Sequence, residues 1–574
     1  MKGVYRAVPY TNIKMTKKYR DLRDILKKIE KEYMDEVGFI YKVKGDIVTV
    51  KYSQFVSDTK YLGEYLLNRV SRNNRIAFIS PNRYEWEVTY MATACSDLIC
   101  VPLDRSLPEN EFKSLLIRSD AEILIYDKKY SEYIEKFKQD EEIKVNEYIC
   151  MDTDFVDVIE KGKELYNSKD CKFKKVKIDN DKMRVMLFTS GTTAQSKCVM
   201  LSHKNLCAQL YGISFLYPID KNDVYLSFLP LHHTFECSTG FLYGISVGAK
   251  RAYCEGLRHF VDNIKDFDVT IFIAVPAIME GVYKNIMKTV EKNKKMMQLK
   301  FALKASDTLK KIGIDIRAKL FKDVRQKIGD KLRFVVCGGA ALNPEVCRAL
   351  NNLGIVVYQG YGLTETSPVI SAEYNDHTRL GSVGPAMEGV RVKIDKPDED
   401  GIGEIITKSD NVMLGYYDSP EETKKAIKNG WFHTGDLGYM DKDGYLFITG
   451  RKKDVIVLKN GKNVFPEELE LMVNELPAVT ECIVYGAKQE DGDINLHCKL
   501  VYNKNDVADK VSSESENDIR EYYWNLIKTQ INKKMPTYKY IKNVIVTTEP
   551  LIKTTTNKVK RMDEIKRIEQ ETQK

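Results

Sequence analysis

The chain has 574 residues, 43% of them apolar and 30% charged, with a net charge of +8. At roughly 150 residues per domain this length allows about four units, and the composition excludes a disordered or collagen-like chain. Residues 1–22 hold no apolar run of the kind a secretory leader needs, and the longest apolar stretch, Val269–Met279, is too short to span a bilayer. The twelve cysteines form neither a CxxC pair nor a Cys/His cluster at ligand spacing. Reduced thiols in a cytoplasmic protein are therefore expected, not a zinc site or a disulfide framework.

In chain order, apolar positions recur at helical spacing in Tyr52–Leu67, and Arg75–Ser80 reads as a short buried strand closed by Pro81. A helix-like run, Glu85–Ala94, leads to strand-like Leu98–Pro102 and then Glu122–Tyr126; Val224–Leu229 and Phe334–Cys337 repeat the strand pattern. Strands alternating with helices over hundreds of residues predict an α/β class, with a large, multi-layered N-terminal domain of parallel-rich sheets. From Gly401 the texture changes: Gly403–Thr407 and Gly444–Thr449, separated by Gly and Asp turns, read as a small antiparallel portion. Beyond the charged connector Gly450–Asp454, the runs Glu467–Asn474, Glu481–Tyr485 and Leu496–Tyr502 predict a small mobile α+β C-terminal domain. The polar stretch Asn503–Asp518 reads as a mobile loop within it. The expected domains are residues 1–450 and 451–574.

The positive charge is concentrated. Residues Lys284–Lys331 hold thirteen lysines, two arginines and five acids, a local +10, so the remainder of the chain is close to neutral. No zinc finger or aromatic RNA-binding motif accompanies this segment, and no nucleic-acid partner is expected. Two readings stand: a solvated helical face, or a patch facing an anionic membrane surface or a polyanionic ligand.

The segment from Val185, VMLFTSGTTAQSKCVMLSH, is an apolar strand ending in Thr189-Ser190-Gly191-Thr192-Thr193, with Lys197 close behind. Backbone N–H groups and hydroxyls in such a loop can point at phosphate oxygens, with a lysine adding charge. The second glycine of the GxxxxGK[ST] pattern is missing, which argues against a P-loop NTPase. Five further segments accompany it: Pro230–Glu236 (PLHHTFE), Phe334–Ala340 (FVVCGGA), Tyr358–Pro368 (YQGYGLTETSP), Trp431–Leu437 (WFHTGDL) and Pro550–Arg561 (PLIKTTTNKVKR), besides the Gly450–Asp454 connector.

With these motifs in order over nearly the whole length, the chain resembles the acyl-adenylate-forming superfamily of acyl-CoA synthetases, luciferases and peptide-synthetase adenylation domains. The basic helical stretch before Phe334, including Ala318–Gly329, is similar to the long-chain fatty acyl-CoA synthetase branch. The resemblance implies that the Thr189–Lys197 loop holds the β- and γ-phosphates of ATP, and that Glu365, with Thr192, binds Mg²⁺, a hard cation suited to oxygen ligands. It implies that Tyr361 and Gly338, Gly339 and Ala340 enclose the adenine, that Asp436 accepts from the ribose hydroxyls, and that Arg451 adds a charged donor. Gln359, Gly360, Gly362, Thr364, Lys453 and Gly461 join the implied cofactor-binding set, with Lys453 near the hinge of the C-terminal domain. His233 resembles the histidine beside the reacting carboxylate, with His232 as a packing residue. Lys558 resembles the lysine that contacts both the substrate carboxylate and the α-phosphate.

The implied reaction takes a fatty acid and Mg·ATP to an acyl-adenylate and then, with coenzyme A, to acyl-CoA, AMP and pyrophosphate. A carrier-protein phosphopantetheine is the alternative acceptor, and a non-catalytic nucleotide- or acyl-binding relative is the alternative class. Ala194 and Cys198 stand where the family has Gly, Ser196 where Pro is common, and Asn557 where Gly precedes the lysine. Cys198 also raises the prospect of an oxidisable thiol.

Overall fold

The computed structural model describes residues 18–572 apart from 190–195, 295, 312–316, 459–461, 490–493, 509–510, 512–514 and 554–558. Among them an eight-stranded sheet runs in the order Val369–Ala372, Val357–Gly362, Phe334–Cys337, Ile271–Ala274, Val224–Ser227, Lys250–Tyr253, Val37–Val43 and Asp46–Lys51. Its six central strands are parallel, and the outermost strand at each edge is antiparallel. Four-residue strands such as Ile271–Ala274 and Phe334–Cys337 are buried at every position. That is the expected reading of a parallel strand covered on both faces.

A seven-stranded sheet follows the order Gly415–Tyr416, Lys197–Ser202, Met183–Thr189, Ile99–Pro102, Arg75–Ile79, Ile123–Tyr126 and Glu147–Cys150. Helix Tyr84–Cys95 packs between the layers, and every residue in it except Glu85 is buried. Trp86 stacks on Tyr90 with centroids 5.5 Å apart, and both meet the edge of Phe241 from the other layer. The antiparallel portion comprises Arg391–Asp395, Gly403–Lys408, Trp431–Met440, Ile427–Lys428 and Leu446–Arg451. The predicted helix 52–67 extends to Arg69, and the predicted strands 75–80 and 98–102 fall within a residue or two of Arg75–Ile79 and Ile99–Pro102. The α/β class holds.

Towards the C-terminus a three-stranded sheet, Val479–Lys488, Ile494–Tyr502 and Ile541–Thr547, packs helices Pro466–Val473 and Glu516–Leu526 around a core of its own. Here one expectation is corrected. The stretch 503–518 is not a continuous loop: Asn503 accepts from the Asn505 N–H and opens helix Lys504–Val507, and Ser515 caps helix Glu516–Leu526. Its polar residues are helix caps and first-turn acids, which carry no apolar periodicity to read. Apolar Val269–Met279 splits between a strand and a helix opened by Pro276, and no helix among the described residues is long and apolar enough to cross a membrane. All twelve cysteines are free thiols, as expected.

A fully buried ion cluster joins the layers. Arg251, on strand Lys250–Tyr253, donates from Nη2 to Glu236 Oε1 at 2.9 Å and to Glu87 Oε1 at 3.1 Å, and from Nε to the same Glu87 oxygen at 3.2 Å. All three side chains are out of solvent, and burial pushes the Glu87 carboxyl up to about 7 against the pull of Arg251. Removing one member of a buried ion cluster leaves uncompensated charge, whereas replacing the whole cluster by apolar residues can be neutral. Arg251→Met is therefore expected to lower stability by about 3–5 kcal/mol. Combined Arg251→Met, Glu87→Leu and Glu236→Leu should recover most of that loss, with both proteins compared by urea unfolding.

Candidate active site

Part of the predicted set lies at the carboxyl ends of strands in the eight-stranded sheet, where open α/β sheets place their ligands, and the rest comes from the other two large sheets. Strand Phe334–Cys337 runs directly into Gly338–Ala340, and its neighbour Val357–Gly362 carries Gln359, Gly360 and Tyr361. Two glycines are required. A Cβ at Gly338 would lie 3.1 Å from the Gly360 carbonyl oxygen and 3.2 Å from the Phe235 ring, and Gly339 holds φ at +86°. Gln359 is buried and spoken for: its amide donates to the Ser382 carbonyl at 3.3 Å, and its N–H to Glu373 at 3.0 Å.

Tyr361, Asp436 and Arg451 form one unit. The Tyr361 hydroxyl donates to Asp436 Oδ2 at 2.6 Å, and Arg451 Nε pairs with Oδ1 at 2.7 Å. Asp436 and Arg451 are opposite each other across two antiparallel strands. Burial and then the Asp436 charge push the Tyr361 hydroxyl well above its ordinary range, so it stays a donor. Gly362 leads into the short 3₁₀ turn Thr364–Thr366, and its Glu365 lies within electrostatic reach of Arg451.

A second unit joins Glu365 to Lys197. The Tyr416 hydroxyl donates to Glu365 Oε1 at 2.9 Å, and the Lys197 ammonium lies over the same ring, 4.8 Å from its centroid. Lys197 also pairs with Glu422 at 2.8 Å. Sequence reasoning missed Tyr416 and Glu422. The only local signal is the Gly415-Tyr416 pair, and it gains meaning when that pair docks antiparallel on Met200 and Val199.

The strand Met183–Thr189 returns as Lys197–Ser202, with Thr189 opposite Lys197 and its hydroxyl donating to the Lys197 carbonyl at 3.3 Å. The strand is thus followed by an antiparallel strand, where a P-loop is followed by a helix. Ser190, Gly191, Thr192, Thr193 and Ala194 lie outside the described residues, as do Gly461, Asn557 and Lys558. Ser196 is held on both its groups by Arg118, from Nη1 to Oγ at 2.9 Å and from Nη2 to the carbonyl at 2.6 Å.

His233 lies at the start of the helical run that continues through the π-helical Phe235–Leu242, and its ring centroid is 4.3 Å from that of His232. His232 is largely packed in, its side chain 8% exposed and its Nε2 3.6 Å from an Asp104 oxygen. In the connector, Lys452 pairs with Glu404 at 2.9 Å, and partial desolvation lowers the affinity of Lys453 for its proton. The segment bearing Lys558 is flanked by the bridge between Lys553 and Val559, with Lys553 paired to Glu481 at 2.6 Å. Among the described residues no three His, Cys, Asp or Glu side chains cluster as a metal cage. A single carboxylate such as Glu365 suits Mg²⁺, which keeps several waters and takes one or two protein carboxylates beside substrate phosphates.

The chain belongs to the AMP-binding enzyme family, whose model matches residues 26–417, and residues 453–574 match the AMP-binding enzyme C-terminal domain. It is 28% identical over 472 residues to long-chain-fatty-acid–CoA ligase 5 of Rattus norvegicus, covering 76% of this chain and 69% of the relative. It is equally 28% identical over 484 residues to fatty acyl-CoA synthetase A of Dictyostelium discoideum, covering 77% and 70%. The fold matches the anthranilate CoA ligase AuaEII in complex with anthranoyl-AMP at a TM-score of 0.76 and 21% identity, over 96% of this chain and 98% of that one. A Mycobacterium tuberculosis fatty acyl CoA synthetase matches at 0.65 and 21% identity, over 95% and 98%.

Cys198 is corrected as a redox candidate. It is 3% exposed, and burial pushes its thiol up to about 12. Thiolate is the reactive form, so at pH 8 the folded protein should leave Cys198 unmodified by iodoacetamide while the urea-unfolded chain is alkylated there. Peptide mass spectrometry of both samples checks this.

Proposed function

We propose that the chain activates a fatty acid with ATP, through an enzyme-bound acyl-adenylate, and passes the acyl group to coenzyme A. The observation that carries this reading is the linked pair of units Tyr361–Asp436–Arg451 and Glu365–Tyr416–Lys197, drawn from strands of three sheets and from the turn after Gly362. Similarity over three quarters of the chain to relatives named a long-chain-fatty-acid–CoA ligase and a fatty acyl-CoA synthetase supports the acid class.

Adenylation brings a carboxylate and a polyphosphate together, so the site must neutralise charge as pyrophosphate leaves. In this reading Tyr361 and Gly338–Ala340 flank the adenine, Asp436 accepts from the ribose, and Arg451 fixes Asp436. Lys197 faces the β- and γ-phosphates, and His233 orients the acid's carboxylate. Mg²⁺ beside Glu365 and Thr192 would supply charge neutralisation between phosphates. Residues 451–574 would swing about the connector near Lys453, presenting Lys558 for the first half-reaction and withdrawing it for the second. Lys558→Ala should then fail to make acyl-adenylate from ATP, yet still turn supplied acyl-adenylate and coenzyme A into thioester. Single-turnover assays of each half-reaction, with holo-carrier protein as the competing acceptor, test the reading. Equal loss in both halves would sink the division of labour, and absence of pyrophosphate release with every acid of a chain-length panel would leave a binding protein.

The proposed partner of the basic segment is an anionic membrane surface. Residues 284–331 fold largely into helices, including Pro276–Lys292, Met296–Lys311 and Lys322–Ile328. On Met296–Lys311, Met297 and Phe301 stand 86% and 77% exposed, four residues apart beside Lys304, while Leu299 turns into the core. Large apolar groups among lysines suit a headgroup boundary with negative charge. Glutamine at Lys288, Lys292, Lys294 and Lys304 should reduce sedimentation with phosphatidylserine vesicles, and rising salt should do the same. Equal binding to neutral vesicles would favour a solvated face.

A further inference from the structure

The partner that Lys197 already has bears on how ATP enters. Its ammonium lies 2.8 Å from Glu422 Oε2 and over the face of Tyr416, whose hydroxyl is bound to Glu365. Glu422 is on helix Pro420–Ala426, and its other oxygen takes Lys425 at 2.7 Å. Lys197 and then Lys425 hold the Glu422 carboxyl down at about 2, so it is ionised throughout the working range. The helix is tied to the backbone of Tyr416: the Tyr416 N–H donates to Thr423 Oγ1 at 2.9 Å, and Thr423 Oγ1 donates to the Ser419 carbonyl at 3.0 Å. A carboxylate therefore already bonds the ammonium that the proposed function turns towards phosphate. The pair is partly open to water, with Lys197 31% and Glu422 39% exposed, and an ion pair of that exposure is weak enough to exchange.

We propose that Glu422 is the resting partner of Lys197, an internal anion that parks the ammonium on Tyr416 until the phosphates of ATP displace it. Tyr416 is the positioning residue, keeping the parked lysine and the Glu365 carboxylate on one side chain. The proposal rests on the reading of Lys197 as the phosphate-facing lysine. ATP binding then includes the breaking of one ion pair, and removing the competitor should strengthen binding.

The test is calorimetric titration of the full chain with Mg·ATP, for the wild type, E422Q, K197A and the double variant. E422Q is expected to tighten ATP binding about two- to fivefold, the worth of an exposed pair, and less at high salt. K197A should weaken binding, and E422Q on that background should change nothing, since the interaction energy belongs to the pair. If E422Q leaves affinity unchanged or lowers it while K197A weakens it, the parking role is overturned and the phosphate-facing lysine stands. Tightening by E422Q that persists without Lys197 would overturn it too, as a through-space charge effect. If K197A binds ATP as the wild type does, both readings fall. Y416F keeps the ring and loses only the hydroxyl, so it should raise the Mg²⁺ concentration needed for half-maximal pyrophosphate release while leaving the E422Q effect in place. An unchanged Mg²⁺ requirement would remove Tyr416 from the proposal.

Discussion

Arg251 places a cation where the fold has no water to solvate it, and the packing around it follows from that constraint. Its guanidinium reaches Glu236 on the nearby π-helical run and Glu87 on the interlayer helix, 164 residues away, so three segments meet at one buried charge. An ion cluster of this kind adds little net stability over apolar packing, but it penalises any arrangement that separates its members. Glu236 sits three residues after His233 and beside Phe235, whose ring closes on Gly338. Holding Glu236 therefore holds the wall of the site against the glycine turn that follows strand Phe334–Cys337.

The site itself is assembled from two phenols. Tyr361 gathers Asp436 and, through it, Arg451; Tyr416 gathers Glu365 and Lys197. Both hydroxyls are pushed above their ordinary range, first by burial and then by the carboxylate each one serves, so both remain donors. Each phenol thereby helps to fix the orientation of its carboxylate. Preorganised orientation of charged groups is the larger part of what such a site can contribute to reaction between two anions.

The segment that carries Lys197 departs from the family pattern, and two of the departures, Ser196 and Cys198, are accommodated by their surroundings. Ser196 binds Arg118 with its hydroxyl as well as its carbonyl, and that hydroxyl contact is one proline could not make. Cys198 is absorbed into an apolar core with Val101, Leu116 and Met186. These contacts explain how the return strand keeps its register from Thr189 and Lys197 to Met183 and Ser202 without the usual residues.

The α/β class and the strand ends were legible in the sequence, because short apolar runs closed by glycine or hydroxyl turns are local patterns, whereas Tyr361, Glu365 and Asp436 were grouped by the family resemblance of their motifs. The helix at Lys504–Val507 was not legible, since capping residues carry polarity without periodicity. Nor were Tyr416, Glu422, Arg118 or the Arg251 cluster. Arg251 and Glu87 are 164 positions apart, and Lys197 and Glu422 are 225 apart. No spacing rule links charges over such distances. Only the packing of helix Tyr84–Cys95 between the layers and the docking of Gly415–Tyr416 on Lys197–Ser202 make them neighbours, because a buried charge must be met by whichever opposite charge the fold brings within reach.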